Sequence, residues 1–102
     1  MPAAAYLIVE SNVRDAARFK AYIDAAPEVA RAFAGEYLAR GGRIAVLEGD
    51  WTPPRLTVLR FASFEAAQQM YDSPGYRAAR SLRAGATTVF NMVLVEGVDA
   101  PV

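Results

Sequence analysis

Cysteine and histidine are both absent from this chain, so any chemistry must rest on carboxylates, arginines, tyrosines, a tryptophan, hydroxyl groups, the single lysine Lys20 or backbone groups. Without cysteine there is no thiolate nucleophile, thiolate metal site or disulfide. Without histidine the commonest general base, metal ligand and haem ligand are missing, and no histidine-dependent serine triad can form. We therefore expect a site that uses neither a metal nor a cofactor.

Two arginines in or beside apolar strand sequence are candidates for binding an anion. Arg60 interrupts an otherwise apolar run, and Arg40 precedes a pair of glycines. A buried guanidinium is costly unless it is paired, so either side chain could hold a carboxylate or enolate oxygen with two hydrogen bonds inside a cavity. The alternative is a solvated strand end or a structural ion pair, for which the acidic partners are Glu10, Glu36 and Glu48.

Glu48 and Trp51 flank the turn sequence Gly49-Asp50. A carboxyl group buried among apolar side chains acquires a raised pKa, which suits a general acid or base. Glu48 is our candidate for that role, and its structural alternative is to accept hydrogen bonds from the turn or to pair with an arginine. Trp51 could form an aromatic wall over a flat ligand, or it could pack as an anchor at an interface.

Two tyrosines, Tyr71 and Tyr76, flank a predicted helix break at Ser73-Pro74. Tyrosine hydroxyls can donate to a developing oxyanion, whereas the structural alternative for both rings is packing between helix and sheet. We take Arg40 and Glu48 as the candidate catalytic residues. The predicted ligand-binding set is Arg40, Glu48, Trp51, Arg60, Tyr71 and Tyr76.

The elements that must position these side chains follow the order strand, helix, strand, strand, helix, strand. We predict the strands over residues 4–10, 36–40 continuing as 43–48, 56–62 and 87–96. The paired glycines at 41–42 indicate a bulge or sharp bend inside the second strand, and residues 49–54 are typical of a hairpin loop.

The two predicted helices have clear start and stop signals. Asp15 is the predicted N-cap of the first helix, Pro27 is expected to kink or restart it, and Gly35 to end it in a left-handed conformation. Ser63 is the predicted cap of the second helix, which restarts at Ser73-Pro74 and ends at a glycine turn.

This order predicts an α+β fold of the ferredoxin-like type, a four-stranded antiparallel sheet with both helices on one face, as a single domain over residues 1–102. The first and last strands are apolar without alternation, whereas a half-exposed strand should alternate. The face without helices would leave about 400 Å² of flat apolar surface. We therefore expect a second copy of the chain to cover it in a homodimer.

Composition excludes several classes of partner. Lysine and arginine balance aspartate and glutamate at eleven each, so the basic surplus of a nucleic-acid-binding protein is absent. No apolar run approaches the roughly 20 residues that span a bilayer, and no leader pattern opens the chain. We expect a cytoplasmic protein that binds neither nucleic acid nor membrane.

Three segments, Gly35–Gly42, Glu48–Trp51 and Tyr71–Tyr76, resemble the family called domain of unknown function 1330 (DUF1330). The resemblance extends in order and spacing over residues 4–98 and implies a dimeric alpha-beta barrel, in which two ferredoxin-like sheets pack together. That superfamily includes cofactor-free isomerases, cyclases and monooxygenases, and also haem-degrading enzymes. The haem-degrading members generally use a histidine ligand, which this chain lacks.

Two interpretations of function stay open from the sequence. The first is a cofactor-independent enzyme of the isomerase, cyclase or monooxygenase type, acting on a small anionic or aromatic metabolite between sheet and helices. The second is a non-catalytic homodimeric module that binds a small molecule or has a structural role. Glu48 and an unpaired arginine converging on a concave space would favour the first, and complete pairing in a filled core the second.

Overall fold

The computed structural model describes residues 3–98, which form one four-stranded sheet and three helices. In chain order these elements are β1 (Ala5–Val13), α1 (Ala16–Ala32), β2 (Glu36–Arg40), β3 (Leu56–Phe61), α2 (Phe64–Asp72), α3 (Pro74–Ser81) and β4 (Thr87–Glu96). The sheet is antiparallel with the strand order β2-β3-β1-β4. The predicted ferredoxin-like topology is confirmed, and no helix within these residues is long and apolar enough to cross a membrane.

Helix α1 begins where the sequence predicts but does not restart at its proline. The Asp15 carboxylate accepts from the amide of Arg18 at 3.1 Å, and the helix continues through Pro27. Proline has no N–H to donate to the carbonyl four residues earlier, which here belongs to Ile23. The Nη2 of Arg40 donates to that carbonyl at 3.0 Å instead. A side chain from β2 therefore satisfies the backbone group that Pro27 leaves free.

The end of α1 corrects the prediction for Gly35. The residue in the left-handed region is Ala34, with φ 60°, and Gly35 is needed for a different reason. A Cβ on Gly35 would lie 2.7 Å from Cε1 of Phe61, a ring that is only 1% exposed. The absence of a side chain at Gly35 allows the helix end to approach the sheet closely. From sequence alone, a glycine needed for such close packing cannot be told apart from one needed for a left-handed backbone conformation.

Serine caps build the predicted break in the second helical region. The Oγ of Ser63 accepts from the Ala66 amide at 3.0 Å and starts α2. The Oγ of Ser73 accepts from the Tyr76 amide at 3.1 Å, and Pro74 occupies the first turn of α3. Both predicted starts are confirmed, and the break places Tyr76 in the first turn of the second piece.

The second strand is shorter than predicted. It ends at Arg40, and the continuation over residues 43–48 forms no strand, because no described part of the same chain pairs with it. Residues 41–55 instead make one irregular connection. The irregularity expected at the glycine pair lies earlier, between Tyr37 and Ala39. Register pairs Tyr37 with Leu59 and Arg40 with Thr57, so the bulge turns the Arg40 side chain toward the helices.

The sheet has one face covered by helices and one open face. Residues paired directly across β1 share a face, and on the helix face Leu7 and Val9 are each 6% exposed. The open face is made by Tyr6, Ile8, Glu10, Asn12, Glu36, Ala39, Leu56, Val58, Arg60, Val89, Asn91, Val93 and Val95. Most of these side chains are apolar, so the predicted lack of alternation is confirmed, and Val93 is 60% exposed.

We expect Gly35→Ala to lower the free energy of unfolding by about 1–3 kcal/mol, because the added methyl group overpacks a site with no room to relax. Urea unfolding measures the change. Gly42→Ala is the matched control, since a Cβ there meets nothing within 4 Å. Equal losses for the two variants would contradict the packing explanation.

Candidate functional site

A cavity of about 40 Å³ lies between the sheet and helices α1 and α3. The apolar stripe of α1 supplies Phe19, Tyr22 and Ala26 to its roof, and the capped start of α3 supplies Tyr76. Its floor comes from the helix face of the sheet and includes Leu7, Val9, Ser11, Leu59 and Met92. The elements predicted from the hydrophobic pattern thus enclose a small space in which the roof carries two hydroxyl groups.

Tyr22 and Tyr76 form a buried hydroxyl pair at this cavity. Their Oη atoms are 2.8 Å apart, the rings are 8% and 2% exposed, and they meet edge-on at 82°. Burial raises the pKa of the Tyr22 hydroxyl, and the neighbouring Tyr76 raises it further. Tyr22 is therefore neutral at ordinary pH. In such a pair one hydroxyl donates to the other, and the acceptor keeps its own proton to offer to a ligand.

Arg40 and Arg55 line the same cavity. The Arg40 guanidinium lies 4.9 Å from the centre of the Tyr37 ring, and that of Arg55 lies 5.8 Å from the centre of the Phe19 ring. Among the described residues, no carboxylate lines this cavity. Within residues 3–98 the ion pairs are Arg18–Asp15 and Lys20–Asp24, so both cavity arginines have no carboxylate within ion-pair distance.

A third guanidinium stands beside the hydroxyl pair. Arg83 stacks 3.6 Å from the centre of the Phe90 ring and 5.3 Å from that of Tyr22. Its Nε is buried without a hydrogen-bond partner in the described part of the chain. The positive charge of Arg83 lowers the pKa of Tyr22, but less than burial raises it. The Arg83 charge therefore makes the Tyr22 hydroxyl a better hydrogen-bond donor without ionising it.

A second cavity of about 240 Å³ adjoins the first, beneath α2 and against β4. Leu7 and Met92 line both cavities, and the Tyr71 ring in the second lies 5.3 Å from the Tyr76 ring in the first. The second cavity is lined in addition by Phe64, Ala67, Gln68, Asp72 and Leu94. Of the two shared side chains, Leu7 and Met92, methionine is the more flexible. Together the two cavities hold about 280 Å³, close to the lower end of small-ligand sites.

The structure divides the predicted site residues into two groups. Arg40 and Tyr76 line the first cavity, and Tyr71 lines the second, where its hydroxyl accepts from Arg80 at 2.8 Å. The other three lie elsewhere, and their roles stay predictions. They are Glu48, exposed in the irregular connection, Trp51, whose Nε1 donates to Glu10 at 3.1 Å, and Arg60, exposed on the open face opposite Glu36.

The residues that the sequence did not single out as site residues are Tyr22, Arg55 and Arg83. Tyr22 belongs to the apolar stripe of α1, and its hydroxyl was the one available signal of a polar function. Arg83 belongs to the basic run Arg77, Arg80 and Arg83, whose spacing fits either an anion site or, as the sequence favours, a solvated helix end. In the structure Arg83 is partly buried on Phe90. A fourth polar residue, Ser11, is only 2% exposed on the sheet floor.

Neither cavity is built as a metal centre. No group of three or more acidic side chains in the described range 3–98 is arranged to hold a metal ion. The donors that face the first cavity are guanidinium N–H and hydroxyl groups, which complement an anion.

Comparison of the whole chain identifies a family and a fold. The family model described as "Domain of unknown function (DUF1330)" matches residues 4–98. No functionally curated protein is detectably similar in sequence.

Solved structures share the fold at low sequence identity. A protein of unknown function from Rhodopseudomonas palustris, RPA0582, is 17% identical with a TM-score of 0.77, over 98% of this chain and 86% of its own. A dimeric ferredoxin-like protein of unknown function from Bacteroides fragilis is 14% identical with a TM-score of 0.63, over 92% and 96%. A Caulobacter crescentus protein, assigned only provisionally as an antibiotic biosynthesis monooxygenase, is 14% identical with a TM-score of 0.63, over 96% and 92%.

Because the Tyr22 hydroxyl is buried in its neutral form, the stability of the fold should decrease at alkaline pH. Unfolded tyrosine ionises near pH 10, and the folded pKa is higher, so its contribution is complete below about pH 10 and is lost as the pH rises further. We expect the free energy of unfolding, measured in urea from about pH 8 to 11, to fall more steeply for the wild type than for Tyr22→Phe. If the free energy of unfolding fell equally with pH in the two proteins, the Tyr22 hydroxyl would not be the cause of the pH dependence.

Proposed function

The chain belongs to the DUF1330 family, whose function is unknown, and we propose that it binds a small organic anion between its sheet and helices. One observation carries the proposal: the guanidinium groups of Arg40 and Arg55 line the first cavity together with the buried hydroxyl pair, and that of Arg83 lies against the Tyr22 ring. Among residues 3–98 none of the three has a carboxylate within ion-pair distance. Positive charges without counter-ions favour an anion in the space that they border.

The chemistry that this site would support is cofactor-independent conversion of a substrate that passes through an oxyanion. Arg40 and Arg55 would hold a carboxylate group of the substrate, and the tyrosine pair would donate to a developing enolate oxygen. Tyr22 is too weak an acid to act as a base near neutral pH. Among the described residues, Asp72 is the one carboxylate at these cavities, and it lines the second. It is therefore a candidate proton acceptor, in addition to the predicted Glu48.

A non-catalytic binding module is the second candidate function. Its support is that the polar groups of the site already have protein partners: Tyr22 bonds to Tyr76, and Arg40 donates to the carbonyl of Ile23. Such a site can hold an anion without turning it over. Proton exchange between solvent and the acidic carbon of a bound keto acid distinguishes the two candidates, because only the enzyme accelerates it.

The protein also acts, in our proposal, as a homodimer paired through the open face of the sheet. The apolar side chains of that face support this, as does its exposure in a single chain. Two proteins of the same fold, from Bacteroides fragilis and Thermobifida fusca, are described as dimeric. An apolar face of this kind is typical of an interface in a stable dimer.

We expect Arg55→Gln and Arg40→Gln each to weaken the binding of benzoate, used as a small aromatic anion, by about tenfold or more, because a charge-assisted pair is lost. Calorimetric titration measures the affinity. Arg77→Gln is the matched control, an exposed arginine that lines neither cavity. If both cavity variants bound benzoate with unchanged affinity, the proposed anion site would be wrong.

Val93→Asp should weaken the dimer strongly, since each interface would bury two carboxylates on an apolar face. Light scattering over a dilution series gives the dissociation constant. Gln69→Asp, exposed on α2 at the helix side, should leave the dimer intact. A wild-type protein that is monomeric throughout the series would overturn the proposed assembly.

A further inference from the structure

Residues Arg43–Glu48 have the composition of a strand but no strand partner in their own chain. The segment contains Ile44, Val46 and Leu47, and the sequence predicts it to be extended. In the structure it is irregular, and Leu47 is 88% exposed while Val46 is 46% exposed. Its large aliphatic side chains would cost free energy if they stayed in water.

Both sides of this segment are apolar. In an extended chain Ile44 and Val46 point one way, while Ala45 and Leu47 point the other. A strand at the wet edge of a sheet usually carries charges on its exposed side. An extended segment with apolar side chains on both sides is typical of a strand buried between two layers.

The ends of the segment hold it at the open side of the sheet. The Gly41 amide donates to the Leu56 carbonyl at 2.9 Å, and its φ of 68° turns the chain out of β2. Gly49, with φ 87°, makes the second turn. Trp51 then returns to the open face, where its Nε1 reaches Glu10. The segment between these glycines therefore leaves and rejoins the molecule beside the face that we propose to pair.

That face contains a hollow large enough for side chains of another molecule. About 500 Å³ of open space is bordered by Trp51 and by the side chains of Ile8, Glu10, Asn91 and Val93. The surface of the chain is also larger than its mass requires, 6693 Å² against about 5,600 Å² for a compact protein. The excess is comparable to the roughly 800 Å² that each partner buries in a standard interface.

We propose that Arg43–Glu48 becomes a β-strand only in the dimer, where a second copy of the chain supplies both its hydrogen-bond partner and its apolar cover. The inference rests on the proposed homodimer and adds the element that completes it. By two-fold symmetry each copy contributes its segment to the other. The assembled dimer then has one strand per chain more than the isolated protomer.

Hydrogen exchange on the wild-type dimer tests this directly. The amides of residues 44–47 should be protected in the dimer and should exchange at rates near those of a free peptide when the protein is diluted to monomer. A dimer in which these amides exchange freely overturns the strand while leaving the dimer intact. A wild-type monomer overturns both, and benzoate binding, which does not depend on this segment, reports separately on the anion site.

A matched pair of variants gives the second readout. Leu47→Asp should raise the dimer dissociation constant by about a hundredfold or more, because each dimer carries the change twice. Leu82→Asp, at the exposed end of α3 on the helix side, is the control and should change it less than about threefold. Since Leu47 is 88% exposed in the protomer, its replacement should not impair folding, and thermal unfolding of the diluted monomer checks this. Equal effects of the two substitutions would overturn the proposal.

Discussion

A sheet with apolar side chains on both faces must be kept from water twice, and in this protein the helices cover it only once. The helix face of β1 buries Leu7 and Val9, while the open face presents Ile8 between Val58 and Val93. The shortest dimension of the molecule, 16 Å, is that of one sheet layer and one helix layer. Within the described chain no layer covers the open face. The proposed dimer would cover it, and the same dimer would cover the exposed segment 43–48.

The proposed anion site depends on the packing of α1 against the sheet, through one backbone carbonyl that has no helical donor. Pro27 leaves the Ile23 carbonyl without its helical donor, and Arg40 donates to that carbonyl from β2. The bulge between Tyr37 and Ala39 is what turns Arg40 to this side of the sheet. A proline in one element and a bulge in another thus fix a guanidinium at the rim of the first cavity. Since that contact is to a neutral carbonyl, Arg40 has no carboxylate within ion-pair distance among the described residues.

Sequence patterns predict the parts of this structure that local chemistry determines. The last strand begins and ends at the predicted residues, 87 and 96. The predicted helix caps Asp15, Ser63 and Ser73 are each confirmed by a hydrogen bond to a backbone amide. Predictions fail where the deciding contact is distant along the chain. Phe61 leaves no room for a side chain at Gly35. Residues 43–48 have strand-like composition but no strand to pair with in the described chain, and a local pattern cannot reveal whether such a partner exists. The hydroxyl pair is missed for the same reason, because Tyr22 and Tyr76 meet only after α1 and α3 pack together.

Charge at the first cavity is one-sided, although the composition of the chain does not require it. The chain has equal numbers of acidic and basic residues, yet within residues 3–98 the first cavity is lined by Arg40 and Arg55 and by no carboxylate, while Glu10 on the open face is hydrogen-bonded to Trp51 and Asn91. If the two arginines were only structural, carboxylates of the chain would be available to pair with them, and among the described residues none lies within ion-pair distance. An anion bound in the first cavity would supply the counter-charge that these residues do not provide.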